Sequence, residues 1–430
     1  MRRARFHLAL AAALALCLAS GCARKTGEIA GGGGAAPSPA GKRILLTVLA
    51  GQSTTDAGTE EMIDDLLEKA TPGIELDWER VDWGVGFQSQ MRAKFAAGEV
   101  PDIMIGKAQD VATYLPSGNL APIPSKVLAC IQDQALGPVS SGGIAYGAPY
   151  NALYQGVFYN EDIFRSLGLE PPRSRAELAR VEAALRRAGI TPYATHFEEL
   201  WYTGNVVMQF ALGEIFEKEP DWGDRFRSGR VGFAESEGFE RCFGYLRGML
   251  EDSWKDAFSI GVAECDERFA KGQAAMYVSG SWSLQTIAAV NPGMRLGLFP
   301  YPNSTGDAKL IYEPNMTFMK SSRTEHPEEV DSALEAIFAS VDLATEILDF
   351  TKSTSLLKAT GSEPPLLVQA DIDRRRAMGG IVDATIGNTQ LIWSFQDALA
   401  DRLQEWLQGR ASLDSVMSYA DRARSLSGPR

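Results

Sequence analysis

The chain reads as an α/β protein on a parallel sheet, large enough for two lobes, and three observations predict this. A strand–helix–strand–helix–strand rhythm runs from residue 44 to residue 106. The stretch from about Lys42 to Arg430 exceeds what one hydrophobic core ordinarily serves. An apolar helical stripe follows near the C-terminus, and no internal repeat points to a solenoid.

Ile44 to Leu49 is a continuous apolar run, as expected of a strand buried on both faces, and the turn Gln52-Ser53-Thr54-Thr55-Asp56 follows it. Met62, Ile63, Leu66, Leu67 and Ala70 mark one face of a helix that Pro72-Gly73 stops. Ile74, Leu76 and Trp78 alternate as a strand. Phe87, Met91 and Phe95 recur at four-residue steps on a second helix closed by Gly98, and Val100 to Gly106 gives a third strand. This order implies parallel pairing with right-handed crossovers, Asp102 fixing the turn before the third strand. Further on, Asn160 is placed to cap one helix, and Ser174 with Glu177 makes a capping box for another. Gly189 to Tyr193 reads as a short strand whose exit leads to Glu198, Glu199 and Trp201. Ile392, Phe395, Leu399, Leu403, Trp406 and Leu407 form the late apolar stripe, which Gly409 ends, and Leu413, Val416 and Met417 suggest one more helix.

The N-terminus predicts export. Arg2, Arg3 and Arg5 precede the apolar run Leu8 to Leu18, a secretory signal too short to span a bilayer. Leu18-Ala19-Ser20-Gly21-Cys22 looks like a lipobox, in which Cys22 becomes the lipid-bearing first residue of the mature chain. Residues 1–21 are then the signal and residues 22–42, with Gly31 to Gly34 and Pro37-Ser-Pro39, a flexible tether. The expected place is the periplasm or the outer face of the cell membrane.

Composition narrows the chemistry. The formal net charge of −13 would repel a phosphate backbone, which argues against nucleic acid as partner. Of three histidines, His7 lies in the signal, and His196 and His326 have no zinc spacing. No G-x-S-x-G elbow or P-loop is present, so neither an enzyme nor a bound cofactor is expected, and any metal site is unexpected. Paired acids such as Glu198-Glu199 leave a glycan-cleaving enzyme as the rival from another class. Of five cysteines, Cys130, Cys242 and Cys265 follow the tether, and the expected arrangement is a Cys242–Cys265 disulfide with Cys130 buried and inert.

The most informative stretch is Phe269-Ala-Lys-Gly272-Gln-Ala-Ala275-Met276-Tyr-Val-Ser-Gly280-Ser-Trp282. It reads as a helix end, a Gly stop, a short strand, and a Gly turn presenting Trp282 at a strand exit, where open α/β sheets bind ligands. The stretch resembles the F-x-x-G-x-x-A-M-x-x-x-G-x-W signature of family-1 extracellular solute-binding proteins. Ala97-Gly98 with Pro101-Asp102-Ile103, and Tyr159-Asn160-Glu161-Asp162, are similar to the same family. The resemblance implies a two-lobed periplasmic-binding-protein fold of type II, each lobe a mostly parallel sheet flanked by helices, with a helical C-terminal region. The lobes are expected as 43–149 and 285–345 for the first, 150–284 and 346–430 for the second. It also implies a monomer that captures a carbohydrate by hinge closure and delivers it to the permease of an ABC importer. A polyamine, peptide or chelate is the alternative ligand, kept open by Glu198, Glu199 and Glu313.

Strand exits and the resemblance together give the expected ligand contacts. Trp282 is the stacking platform, with Trp201 entering from the second lobe and Tyr150 at the crossover. Gln52 and Ser53 after the first strand, and Glu313 and Asn315 on a later one, are placed for hydroxyls. Trp393 and Trp83 are either further contacts or packing, and Lys107, just after the third strand, reads as a surface charge, with pairing of an anionic ligand as the alternative.

Overall fold

The computed structural model describes residues 43–51, 57–81, 85–359 and 366–427. Cys17, Cys22, the tether, Gln52, Ser53 and Trp83 lie outside them. The described residues form one compact unit.

The rhythm read at the start of the chain is the observed one. Strand β1 (Ile44–Gly51), helix α1 (Ala57–Ala70), strand β2 (Ile74–Val81), helix α2 (Val85–Ala97) and strand β3 (Ile103–Gly106) follow in order, and helix α3 (Ala108–Tyr114) continues from β3. β1 lies between β2 and β3 and pairs with both in parallel, Val48 opposite Trp78 on one side and Ile103 on the other. Leu46 and Val48 to Ala50 are buried, whereas Leu45 is 55% exposed, so the first half of β1 is covered on one face only. Asp102 fixes the approach to β3 by accepting from the Thr47 amide and hydroxyl, each at 2.8 Å.

Two long strands carry the sheet beyond this unit. β4 (Ala148–Asn160) and β8 (Leu310–Ser321) run antiparallel, with Gln155 opposite Ile311 and Asn151 opposite Asn315. Between them in the chain come β5 (Thr191–Ala194), helix α4 (Leu200–Ala211), helix α5 (Val262–Ala270), β6 (Ala274–Gly280) and β7 (Leu296–Phe299). The main path of the 11-stranded sheet is β2-β1-β3-β8-β4-β6-β5, with β7 also on β4. β5 pairs parallel with β6, while β3–β8, β8–β4 and β4–β6 are antiparallel. The sheet is therefore mixed: parallel at its two ends and antiparallel where the long strands cross. Helix α6 (Trp393–Leu407) comes late and buries Phe395, Leu399, Leu403 and Trp406, the stripe its sequence predicts.

The apolar core divides along these two strands. Ala148, Tyr150, Ala152, Met316 and Phe318 join a cluster with the β1 and β3 residues. Tyr154, Val157, Phe158, Leu310 and Ile311 join a larger one with β6 and α6. The changeover falls near Leu153 and Glu313. Leu284, Ile287 and Leu296 also belong to the larger cluster, and Ile347 and Leu356 to the smaller. Beside the changeover Met316 has φ +45°, a left-handed conformation that a long side chain adopts at a cost of about 1–3 kcal/mol.

The cysteine expectation fails. Cys130, Cys242 and Cys265 are all free thiols, and Cys130 is half-buried, its Sγ 3.4 Å from the Lys126 carbonyl oxygen. Cys242 and Cys265 are enclosed by apolar packing, and burial raises both thiols well above the usual range. Of these three, a thiol reagent is expected to modify Cys130 alone in the native chain and the other two only after denaturation, as counted by mass spectrometry. Among the described residues no helix is long and apolar enough to cross a membrane.

Candidate functional site

The site assembles where β3, β6 and β8 deliver side chains to one place near the crossing. Lys107 is the first residue beyond β3. Its amide donates to Asp110 Oδ2 at 2.8 Å, which begins α3 and fixes the turn. Burial pushes the Asp110 carboxyl up to about 7, although the Lys107 amide and ammonium pull it down. The Lys107 side chain is not the surface charge expected: the residue is 6% exposed. Its Nζ donates to Glu313 Oε1 at 2.6 Å and stands 5.9 Å from the Trp282 ring and 5.6 Å from the Trp393 ring. One cation thus joins an acid from β8, an indole from the end of β6 and an indole from the start of α6.

Trp282 stands at the strand exit, and Gly280 explains its pose. A Cβ at Gly280 would lie 2.0 Å from Trp282 Cζ3, inside the ring's van der Waals surface. Gly280 itself has φ −130° and ψ 170°, ordinary extended backbone. The glycine is therefore needed for space, so that the indole can fold back over the strand end. Trp282 Nε1 is buried and donates to no group among the described residues. Trp201, on α4, meets Trp282 edge to face at 6.1 Å. Beneath Trp201 the His196 ring stacks on Tyr202 at 3.8 Å, and its Nδ1 is 2.9 Å from Glu199 Oε2. Burial lowers the His196 pKa. The other Glu199 oxygen accepts from the Val262 amide at 3.0 Å, so this acid supports the start of α5, while Glu198 points outward.

A chain of amides extends from Glu313. Gln155 Nε2 donates to Glu313 Oε2 at 2.6 Å, Asn205 Nδ2 to Gln155 Oε1 at 3.3 Å, and Gln209 Nε2 to Asn205 Oδ1 at 2.8 Å. These groups line a hollow of about 350 Å³, measured out to solvent, together with Gln109, Asn388, Gln396 and Trp393. A second hollow of about 400 Å³ shares Gln155, Gln209, Leu212 and Ile311 with it. Among the described residues no group of three or more His, Cys, Asp or Glu is placed to hold a metal ion.

Residues 50–350 match the model of the bacterial extracellular solute-binding protein family. The chain belongs to that family. Among curated relatives, the multiple sugar-binding protein of Streptococcus mutans is 22% identical over 293 residues, 64% of this chain and 66% of that protein. Among solved structures, a sugar transporter from Bacillus licheniformis in complex with stachyose superposes with a TM-score of 0.77 at 20% identity, over 89% of this chain and 100% of that one. A chitin oligosaccharide binding protein gives a TM-score of 0.76 at 18% identity, over 90% of this chain and 99% of that one. This likeness shows the type II fold that the sequence predicts.

For this solute-binding protein, four of the expected contacts come together: Trp282, Trp201, Glu313 and Trp393, joined through Lys107. Two do not join them. Tyr150 is wholly buried between Phe318 and Phe338, ring centroids 6.2 and 5.2 Å away, so it packs the crossing strand. Asn315 is buried in the floor and donates to Asn151 Oδ1 at 3.4 Å, tying the two crossing strands. The amides were missed from sequence. Asn205 and Gln209 stand at i and i+4 on a largely apolar helix, a pair of amides that could have marked the site.

Proposed function

We propose that the chain captures a mono- or oligosaccharide between two lobes and delivers it to an ABC transporter permease. It works outside the cytoplasm, moored through lipid on Cys22. The observation that carries this reading is the hollow itself: amides, one acid already neutralised by Lys107, and the Trp393 indole in its wall. A side-chain amide offers both donors and an acceptor, as a sugar hydroxyl requires, and an indole face suits the C–H face of a sugar ring. Similar proteins bind stachyose and chitin oligosaccharide. A polyamine would need unpaired inward carboxylates, yet Glu313 is held by Lys107 and Gln155, and Glu199 by His196 and Val262.

In this reading the two apolar clusters are the cores of the two lobes and β4 and β8 are the hinge strands. The lobe boundaries then sit near Leu153 and Glu313, the second of these later than the expected 285. Ligand contacts both lobes only when they close, so it draws the population to the closed form. Added ligand should therefore reduce the radius of gyration in small-angle scattering, and an unchanged profile with demonstrated binding counts against closure. Cys22→Ser should move the protein from the membrane to the soluble fraction, and continued retention refutes the anchor.

The deciding experiment is a thermal-shift screen of residues 43–430, freed of co-purified ligand, against sugars with polyamines and short peptides as controls. Ligand at about a hundred times Kd should add roughly 2.7 kcal/mol of stability. A shift with sugars alone supports the reading, and a shift with polyamines or peptides alone overturns it.

A further inference from the structure

We propose that Glu313 sets the charge preference of the cleft: by neutralising Lys107 it makes the site select uncharged sugars over the corresponding uronic acids. This rests on the carbohydrate reading above and adds the ligand's charge to it.

The Lys107 ammonium is buried between the Trp282 and Trp393 rings, where a lone cation would attract an anionic ligand strongly. Glu313 holds it at 2.6 Å through one oxygen, while the other oxygen accepts from Gln155 at 2.6 Å. A ligand carboxylate reaching for Lys107 would have to lie beside the Glu313 carboxylate. Two further acids stand near: Asp110 against the Lys107 amide, and Asp383, whose pKa burial raises and the Glu313 charge raises further. Glu313 thus holds the ammonium directly, Asp110 stands beside it at the Lys107 backbone, and Asp383 adds negative charge on the Glu313 side. A hydroxyl meets this pair without conflict, since it can accept from the ammonium and donate to the carboxylate at once, whereas a carboxylate can only accept. A hexose and its uronate differ in having a hydroxymethyl or a carboxylate at one carbon, so the discrimination is one of charge.

The test uses the full-length chain in mild detergent, with calorimetric titration of glucose, galactose, glucuronate, galacturonate and the methyl esters of the two uronates. The wild type is expected to bind a neutral sugar at least tenfold more tightly than its uronate, and the methyl ester at least tenfold more tightly than the free acid. Glu313→Gln should narrow or invert both ratios, and adding Lys107→Met should abolish that gain. A wild type that binds acid, ester and neutral sugar alike overturns the proposal and leaves the carbohydrate reading standing. So does a folded Glu313→Gln with unchanged ratios. Should Glu313→Gln not fold, the ester-to-acid ratio of the wild type decides alone. A wild type that binds none of these sugars and no oligosaccharide overturns both readings.

Discussion

Replacing Glu313 by Ala is expected to destabilise the ligand-free protein by about 3 kcal/mol, because it strands the Lys107 ammonium in a buried site. The pair is well enclosed, with side chains 8% and 9% exposed, so water does little to compensate the orphaned charge. Gln155 also loses its acceptor, which adds the cost of an unmade hydrogen bond. Lys107→Met in the same chain should restore most of the loss, since removing both charges leaves no uncompensated ion. Chemical denaturation of the wild type, both single variants and the double variant closes the cycle. Additive losses would mean that the two charges are not energetically coupled, and the ion pair would lose its place as the organiser of the cleft.

Trp282→Ala should weaken sugar binding at least tenfold, about 1.4 kcal/mol, while leaving the fold intact. The sugar is whichever one the thermal screen selects, and calorimetry reads the affinity. Gly280 supplies an independent check on the same ring. A methyl group at Gly280 would meet Trp282 at 2.0 Å, so Gly280→Ala must push the indole off the strand end and should also weaken binding. In Trp282→Ala the space is vacant, so adding Gly280→Ala should cost little more. If Gly280→Ala binds as the wild type does, the pose of the ring is not what recognises the ligand.

Local signals made much of this molecule legible in the sequence. The alternation at Ile74 to Trp78, the four-residue steps at Phe87 to Phe95 and the stripe at Phe395 to Trp406 all became the elements they predict. Each reports a face that must be buried, which is a property of near neighbours in the chain. Trp282 was legible for the same reason, because the strand, the glycine and the indole are contiguous. Lys107 was misread because its ion-pair partner is remote: nothing within several residues of it points to Glu313. Tyr150 failed in the opposite way. Its expected place at the crossover suggested a ligand contact, but the long strand carries that tyrosine straight through a core between two phenylalanines. The cysteine pairing rested on nearness in sequence, yet α5 and the helix at Glu237–Glu251 bury the two thiols as packing groups.

The ion pair at the centre of the cleft has a temporal consequence. Its two members are separated by 206 residues, and the second indole facing Lys107 opens a helix made later still. Contacts of such separation form slowly, since a long loop must close before they reward it. A nascent chain that has released β1 to β3 can begin the smaller apolar cluster, but it holds Lys107 without Glu313 or either indole. With the ligand site proposed above, ligand therefore cannot stabilise a chain still in transit through a secretion channel. For an exported protein this timing is useful: the tightest-binding state arises only after nearly the whole polypeptide has emerged, so solute cannot lock a half-translocated chain in place.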